Sequence, residues 1–107
     1  MRVNETTDPA LASSVTEAGP LILQAFAWDM APDASHWRYL AEHAQEIADL
    51  GVTIIWLPPA YKGHEGINDV GYGVYDLYDL GEFDQRGSVP TKYGTKDEYL
   101  AAIEALH

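Results

Sequence analysis

The sequence predicts an α/β fold in which a strand, a helix and a second strand follow one another with short connections. Two short apolar runs, 21–27 and 52–57, have the length and composition of strands buried on both faces, as in a parallel sheet. The segment between them, 37–48, repeats apolar residues at helical spacing. A helix that joins two such runs predicts a βαβ unit with parallel strands and a right-handed crossover.

Each predicted element has its own start and stop signals. Gly19-Pro20 precedes the first strand, and Pro58-Pro59 ends the second because proline donates no ladder hydrogen bond. Ser35 or Asp33 is placed to cap the intervening helix, and Gly51 stands where a C-terminal cap belongs. The apolar stripe of that helix consists of Trp37, Leu40, Ala41, Ala44, Ile47 and Ala48.

A long glycine-rich segment, 60–94, follows the second strand, and part of it (75–80) is expected to be briefly extended. A loop of this length in a compact domain is usually functional, and the carboxyl ends of strands are where α/β sheets hold ligands. A second helix is predicted to start near Thr95, which forms a capping box with Glu98.

Composition excludes several classes of partner. The 107 residues include 17 acidic and 6 basic side chains, a formal net charge of −11 that disfavours nucleic acids and anionic membranes. There is no cysteine, so disulfides and thiolate metal sites are absent. Residues 1–20 are interpreted as a flexible polar tail without a signal-peptide pattern, and residues 21–107 as the folded part. These observations predict a cytoplasmic protein; they leave its oligomeric state open.

Two strands and two helices cannot cover both faces of a parallel sheet. The pattern therefore points onward to further strands, and a complete (β/α)8 barrel needs about 250 residues. We expect a truncated TIM barrel with the order β1-α1-β2-long loop-α2; a small self-contained domain is the alternative. Expressed alone, such a piece is expected to be poorly folded or aggregated, because strands 21–27 and 52–57 lack neighbours.

Three stretches resemble bacterial alpha-amylases. They are LQAFAWDM (23–30), GVTIIWLPPAYKG (51–63) and DVGYGVYDLYDLGEF (69–83), the last continuing into TKYGTK (91–96). Their order makes the resemblance specific and extends it over 21–107, although Ala27 stands where many relatives carry Glu.

The resemblance implies a retaining glycosidase that cleaves alpha-1,4-glucosidic bonds within starch, glycogen or maltooligosaccharides. Retention needs two carboxyl groups about 5 Å apart, and in this family both come from later strands, so no catalytic acid is expected in this sequence. The family also implies calcium, for which this stretch holds no ligands. A chain without the acids is expected to be inactive by itself.

Two aromatic residues are the candidate substrate-binding residues. By resemblance, Tyr72 stacks under a sugar, and Gly71 and Gly73 would let the backbone expose its ring at a bend. Trp28, after the first strand, corresponds to a sugar-contacting Trp of the family. The alternatives are a Tyr that anchors the loop in the core and a Trp that caps the barrel mouth.

Other polar residues are interpreted as structural. Asp69, Asp76 and Asp79 are expected to support the loop by hydrogen bonds, and the four histidines to be solvated without metal-ligand spacing. Trp37 and Trp56 are expected in the core because they belong to apolar patterns. Two functions remain beside the hydrolase: a non-catalytic glucan-binding or interaction module, and a transferase or isomerase on related sugars.

Overall fold

The computed structural model describes residues 19–107. The two predicted apolar runs pair in parallel, with Ile22 opposite Ile54 and Gln24 opposite Trp56, so the predicted parallel pairing is confirmed. The elements, in chain order, are β1 (Ile22–Gln24), α1 (His36–Glu42), α2 (Ala44–Asp49), β2 (Ile54–Trp56), β3 (Lys62–Gly63), a short 3-10 helix (Gly66–Asn68), β4 (Val74–Asp76) and α3 (Lys96–Leu106). Strands β3 and β4 form a separate antiparallel ribbon inside the long segment that follows β2.

The core lies between the helices and one face of the β1–β2 pair. Trp37 and Ala102 are completely buried where α1 packs against α3, and Leu23 and Ile55 contact this cluster from the strands. The buried apolar residues of the cluster are Ala25, Trp37, Leu40, Ile47, Val52, Tyr93, Ala102 and Leu106.

The opposite face of the strands is open, which corrects the expectation that both faces are buried. Ile22 and Ile54 are exposed, and Trp56, expected in the core, is 51% exposed. The apolar runs are continuous because they place apolar side chains on both faces of the strands, whereas the helices among residues 19–107 cover only one of these faces.

The predicted first helix is divided at His43, whose φ of −103° and ψ of 10° separate α1 from α2. The His43 ring packs on Tyr39 with centroids 4.2 Å apart, and its Nδ1 lies 3.1 Å from Glu46 Oε2. Neither proline nor glycine stands at this position, so the sequence carried no signal for the break.

The helix ends combine local and tertiary caps. The capping box of Thr95 and Glu98 is confirmed, and Gly51 adopts a φ of 85° after α2. Ser35 occupies the N-cap position of α1, but its side chain makes no capping hydrogen bond. Instead the backbone N–H of Trp37 donates to the carbonyl of Tyr93 at 2.9 Å, so a distant segment caps α1.

The predicted polar tail, apart from Gly19 and Pro20, lies outside the described residues. From residue 19 onward, no helix combines the length and apolarity needed to cross a membrane.

Candidate functional site

The structure brings the two predicted site residues together at the carboxyl edge of the β1–β2 pair. Trp28 follows β1, and Tyr72 comes from the long segment that follows β2. Their ring centroids are 6.1 Å apart and their planes are parallel within 2°. Both rings stay accessible, with Trp28 69% and Tyr72 49% exposed. Tyr72 is therefore not buried as a core anchor.

Two further aromatic residues extend this pair. The Phe26 ring lies 6.4 Å from that of Tyr72, and it meets Trp56 edge to face at 5.5 Å. We call Trp56, Phe26, Tyr72 and Trp28 the aromatic row. Sequence reasoning missed Phe26 and assigned Trp56 to the core, because an apolar strand residue reveals its face only when the covering layer is known.

Glycine shapes the backbone on both sides of Tyr72. Gly71 has a φ of +117°, and a Cβ there would lie 2.7 Å from the Pro59 side chain. A Cβ on Gly73 would lie 3.0 Å from Oδ2 of Asp69. Asp69 in turn accepts a hydrogen bond from the Gly71 N–H at 2.7 Å, which fixes the bend that presents the Tyr72 ring.

Adjacent residues before α3 hold both members of the aromatic pair. The ammonium of Lys92 donates to the backbone carbonyl of Trp28 at 3.1 Å. The hydroxyl of Tyr93 donates to the carbonyl of Val70 at 2.7 Å, two residues before Tyr72. In the sequence, Lys92 and Tyr93 were noted only as part of the stretch that resembles alpha-amylases. The signal that could have pointed to them is a basic and an aromatic residue directly before the helix cap at Thr95.

Tyr93 is suited to a permanent hydrogen bond. Its side chain is almost completely buried. Burial raises the pKa of its hydroxyl to about 12, with smaller contributions from nearby Tyr72 and Asp69. The hydroxyl therefore keeps its proton, and remains a donor to Val70, throughout the neutral and mildly alkaline range.

The carboxylates of the long segment support its backbone, as the sequence predicted. Burial opposes ionisation of Asp79, but hydrogen bonds from the N–H groups of Glu82, Gly81 and Phe83 and from the Gln85 amide outweigh it, so the pKa of Asp79 is lowered. Such a group cannot act as a proton donor near neutral pH, because that role needs a raised pKa.

Asp69 and Asp76 are engaged in the same way. For Asp69, burial is again outweighed, here by N–H groups of Glu65, Gly71 and Gly73 and by the charge of His64, and its pKa is lowered. Asp76 accepts from the Tyr78 N–H at 2.9 Å and from the Gln85 amide at 3.0 Å. These carboxylates therefore shape the loop and leave no free acid and nucleophile pair.

One histidine departs from the expectation of solvated surface residues. His36 is 8% exposed, and its Nε2 donates to the carbonyl of Ala25 at the end of β1. Burial lowers the pKa of His36, and the bond to Ala25 offsets part of that effect. His64 and His107 are exposed, as expected, and His43 is half-buried.

The described residues do not fit a calcium ion. Between residues 19 and 107 no group of three or more His, Asp or Glu side chains could hold a metal. The buried carboxylate of Asp79 is paired instead with the ammonium of Lys62, at 3.4 Å.

Comparison with known proteins adds the family. No family model matches the chain. It is 56% identical over 86 residues to an alpha-amylase of Geobacillus stearothermophilus, covering 80% of this chain and 16% of the relative. It is 55% identical over 87 residues to the cytoplasmic alpha-amylase of Escherichia coli, covering 81% of this chain and 18% of that protein. The chain thus spans less than a fifth of the length of these relatives.

Solved structures give a consistent result. An alternansucrase from Leuconostoc mesenteroides superimposes with a TM-score of 0.67 at 31% identity, over 82% of this chain and 9% of that protein. An alternansucrase in complex with isomaltononaose gives a TM-score of 0.68 at 32% identity, over 82% of this chain and 8% of that protein. With more than half of its aligned residues identical to bacterial alpha-amylases over four-fifths of its length, the chain belongs to the alpha-amylase family.

Proposed function

We propose that residues 21–107 form the first part of the (β/α)8 barrel of an alpha-amylase, which hydrolyses alpha-1,4-glucosidic bonds inside glucan chains. Within that enzyme, Trp28 and Tyr72 bind the glucan. The barrel is supported by the parallel β1–β2 pair, by the helices packed on one of its faces and by the apolar side chains that the other face presents.

The single observation that carries the proposal is the aromatic pair. Two accessible rings, parallel within 2°, lie at the strand edge where α/β proteins bind ligands. The C–H faces of a sugar pack on such rings and exclude water, and a neutral sugar is not repelled by a net charge of −11. Among the similar structures, the alternansucrase bound to isomaltononaose is a protein that holds an oligosaccharide.

In this proposal the residues of the chain bind and orient, and they do not transfer protons. A retaining mechanism needs a nucleophile and a proton donor about 5 Å apart, the donor with a raised pKa. The lowered pKa values of Asp69 and Asp79 exclude them as donors, and their oxygens are occupied by backbone N–H groups. The acids are therefore assigned to parts of the enzyme other than residues 21–107.

Two finer assignments accompany the proposal. A cytoplasmic location is supported by the name of the Escherichia coli relative, which is a cytoplasmic alpha-amylase. Calcium is implied only by family membership, and since the described residues do not fit the ion, no role in this chain's chemistry is derived for it.

The test is a titration with maltoheptaose, followed by tryptophan fluorescence, of the protein expressed from its full-length gene, because the isolated chain leaves strands 21–27 and 52–57 without neighbours. Tyr72→Ala and Trp28→Ala should each weaken binding about tenfold, which corresponds to 1.4 kcal/mol. Tyr78→Ala is the matched control, because Tyr78 is an 87% exposed tyrosine of the same segment that lies outside the aromatic row. Equal affinities for the Tyr72 and Tyr78 variants would refute the assignment.

A non-catalytic glucan-binding module remains the second candidate, because the aromatic pair needs no carboxylate to hold a sugar. The two functions separate when the gene is expressed at its full length and assayed on soluble starch. Hydrolysis that falls with Tyr72→Ala supports the enzyme, whereas glucan binding without any release of reducing sugar supports the module.

A further inference from the structure

A completely buried lysine lies at the base of the long segment. Lys62, in β3, is 0% exposed, although lysine is almost never fully buried without partners. Its side chain crosses beneath the segment 79–89 and ends among oxygen atoms. The oxygens within reach of Nζ are Phe83 O at 3.0 Å, Gln85 O at 3.4 Å, Ser88 O at 2.5 Å, Val89 O at 2.8 Å and Asp79 Oδ2 at 3.4 Å.

The composition of this group is that of a cation site. Four of the five oxygens are backbone carbonyls and the fifth belongs to a carboxylate, so all accept and none donates. An ammonium has only three hydrogens to share among them. The carbonyls of Phe83 and Val89, at 3.0 and 2.8 Å, lie at ordinary N–H···O distances from Nζ, and of the five oxygens only Ser88 O, at 2.5 Å, falls within the 2.3–2.6 Å of calcium–oxygen bonds.

We propose that these five oxygens form a monovalent-cation site, which the chain fills with the ammonium of Lys62 and which closes the 79–89 loop onto the β3–β4 ribbon. Without a cation the converging carbonyl dipoles and the Asp79 carboxylate repel one another, and the loop opens. The loop thus depends on a positive charge at this point and not merely on a filled volume.

The connections around the site explain why the loop responds as a unit. The backbone N–H of Lys62 donates to the Asp79 carbonyl at 2.7 Å, while Asp79 Oδ1 holds the N–H groups of Gly81 and Glu82 at 3.0 Å. Gln85 bonds the carboxylate of Asp79 and exchanges backbone hydrogen bonds with Ser88. Loss of the central charge therefore reaches the amides of the whole loop.

The test uses Lys62→Ala in the full chain, with amide hydrogen exchange as the readout. Alanine retains Cβ, so n-propylammonium supplies the missing atoms together with the charge. Exchange at Gly81, Glu82 and Phe83 should accelerate about a hundredfold in the variant, because removing one partner of a buried pair leaves the other uncompensated. Millimolar n-propylammonium should slow the exchange of these amides in the variant at least tenfold, whereas 1-propanol, its neutral analogue, should not.

Lys96→Ala is the matched control. It removes the same charge, but Lys96 is half-exposed and meets Glu82 only at 3.5 Å, so exchange of the loop amides should change less than threefold. A second variant, Lys62→Met, fills the volume without a charge.

Each outcome decides the proposal. Rescue by n-propylammonium alone supports it, including the case in which Lys62→Ala is unfolded and the cation restores its helical circular dichroism. Wild-type protection in Lys62→Met, equal rescue by 1-propanol, or no rescue by n-propylammonium would overturn it. Unprotected loop amides in the unaltered chain would do so as well.

Discussion

Replacement of Tyr93 by Phe is the sharpest test of how the aromatic pair is positioned. The substitution keeps the ring, which packs against Trp37 with centroids 5.5 Å apart, and removes only the hydroxyl. That hydroxyl is the donor to the carbonyl of Val70, at 2.7 Å. The change therefore releases the segment that carries Tyr72 without creating a large cavity.

The magnitude follows from burial. Val70 is 7% exposed and Tyr93 is 1% exposed, so water cannot readily replace the lost donor. A buried acceptor left without a partner costs about 1–3 kcal/mol. In a chain of this size each kcal/mol shifts Tm by roughly 4–8 °C. If half of this cost, about 0.5–1.5 kcal/mol, is expressed as displacement of the Tyr72 loop, the Kd for maltoheptaose rises by about twofold to twelvefold.

The assay pairs calorimetric titration with thermal unfolding, and Tyr99→Phe is the control. Tyr99 packs on the same Trp37, at 4.9 Å, and within residues 19–107 its hydroxyl makes no hydrogen bond. The control should leave Tm and Kd nearly unchanged. A Tyr93→Phe variant that binds maltoheptaose as tightly as the unaltered chain would refute the positioning role, whatever its Tm.

The remaining predictions concern pH, association and activity. The pKa of buried His36 is lowered, so folding favours its neutral form. The contribution of His36 to stability should be complete above pH about 6.5 and fall on acidification below it. Urea unfolding at several pH values would reveal this dependence, and His36→Gln should flatten it. The pKa of Tyr93 is raised to about 12, so the contribution of this residue to stability should persist below pH about 10 and be lost between pH about 10 and about 12. Unfolding measured at alkaline pH should show this loss in the unaltered chain and not in Tyr93→Phe. Because Ile22, Ile54 and Trp56 are exposed on the uncovered face of the strands, the 107-residue chain should self-associate as its concentration rises, and sedimentation of a strictly monomeric chain at high concentration would contradict this reasoning. Since its loop carboxylates are engaged and two of them have lowered pKa values, the 107-residue chain should release no reducing sugar from soluble starch, and Tyr72-dependent release would show the assignment of the acids to be wrong.

Much of the fold was predictable because its signals are local. The apolar runs that became β1 and β2, the capping box of Thr95 with Glu98 and the glycine end of α2 each depend on a few neighbouring residues. The loop role of Asp69 and Asp79 was also predictable, since short-range hydrogen bonds from nearby N–H groups realise it.

The errors about Trp56 and His36 share one cause, which is that exposure depends on layers distant in the chain. Trp56 stands in an apolar run but faces the uncovered side of the sheet. His36 is a polar residue expected at the surface, but it is buried and donates to the carbonyl of Ala25. The break at His43 arises where its ring meets Tyr39, without any helix-breaking residue.

The sequence by itself determined the family, the parallel strand pair and the two residues, Trp28 and Tyr72, proposed to bind glucan. Only the tertiary structure decided that Phe26 and Trp56 join them, that Lys92 and Tyr93 hold both halves of the pair, and that Lys62 occupies a cage of oxygens. The physical reason is distance along the chain. Caps and strand patterns depend on a few neighbouring residues, whereas these contacts join residues 17 to 64 positions apart and exist only once the chain has folded.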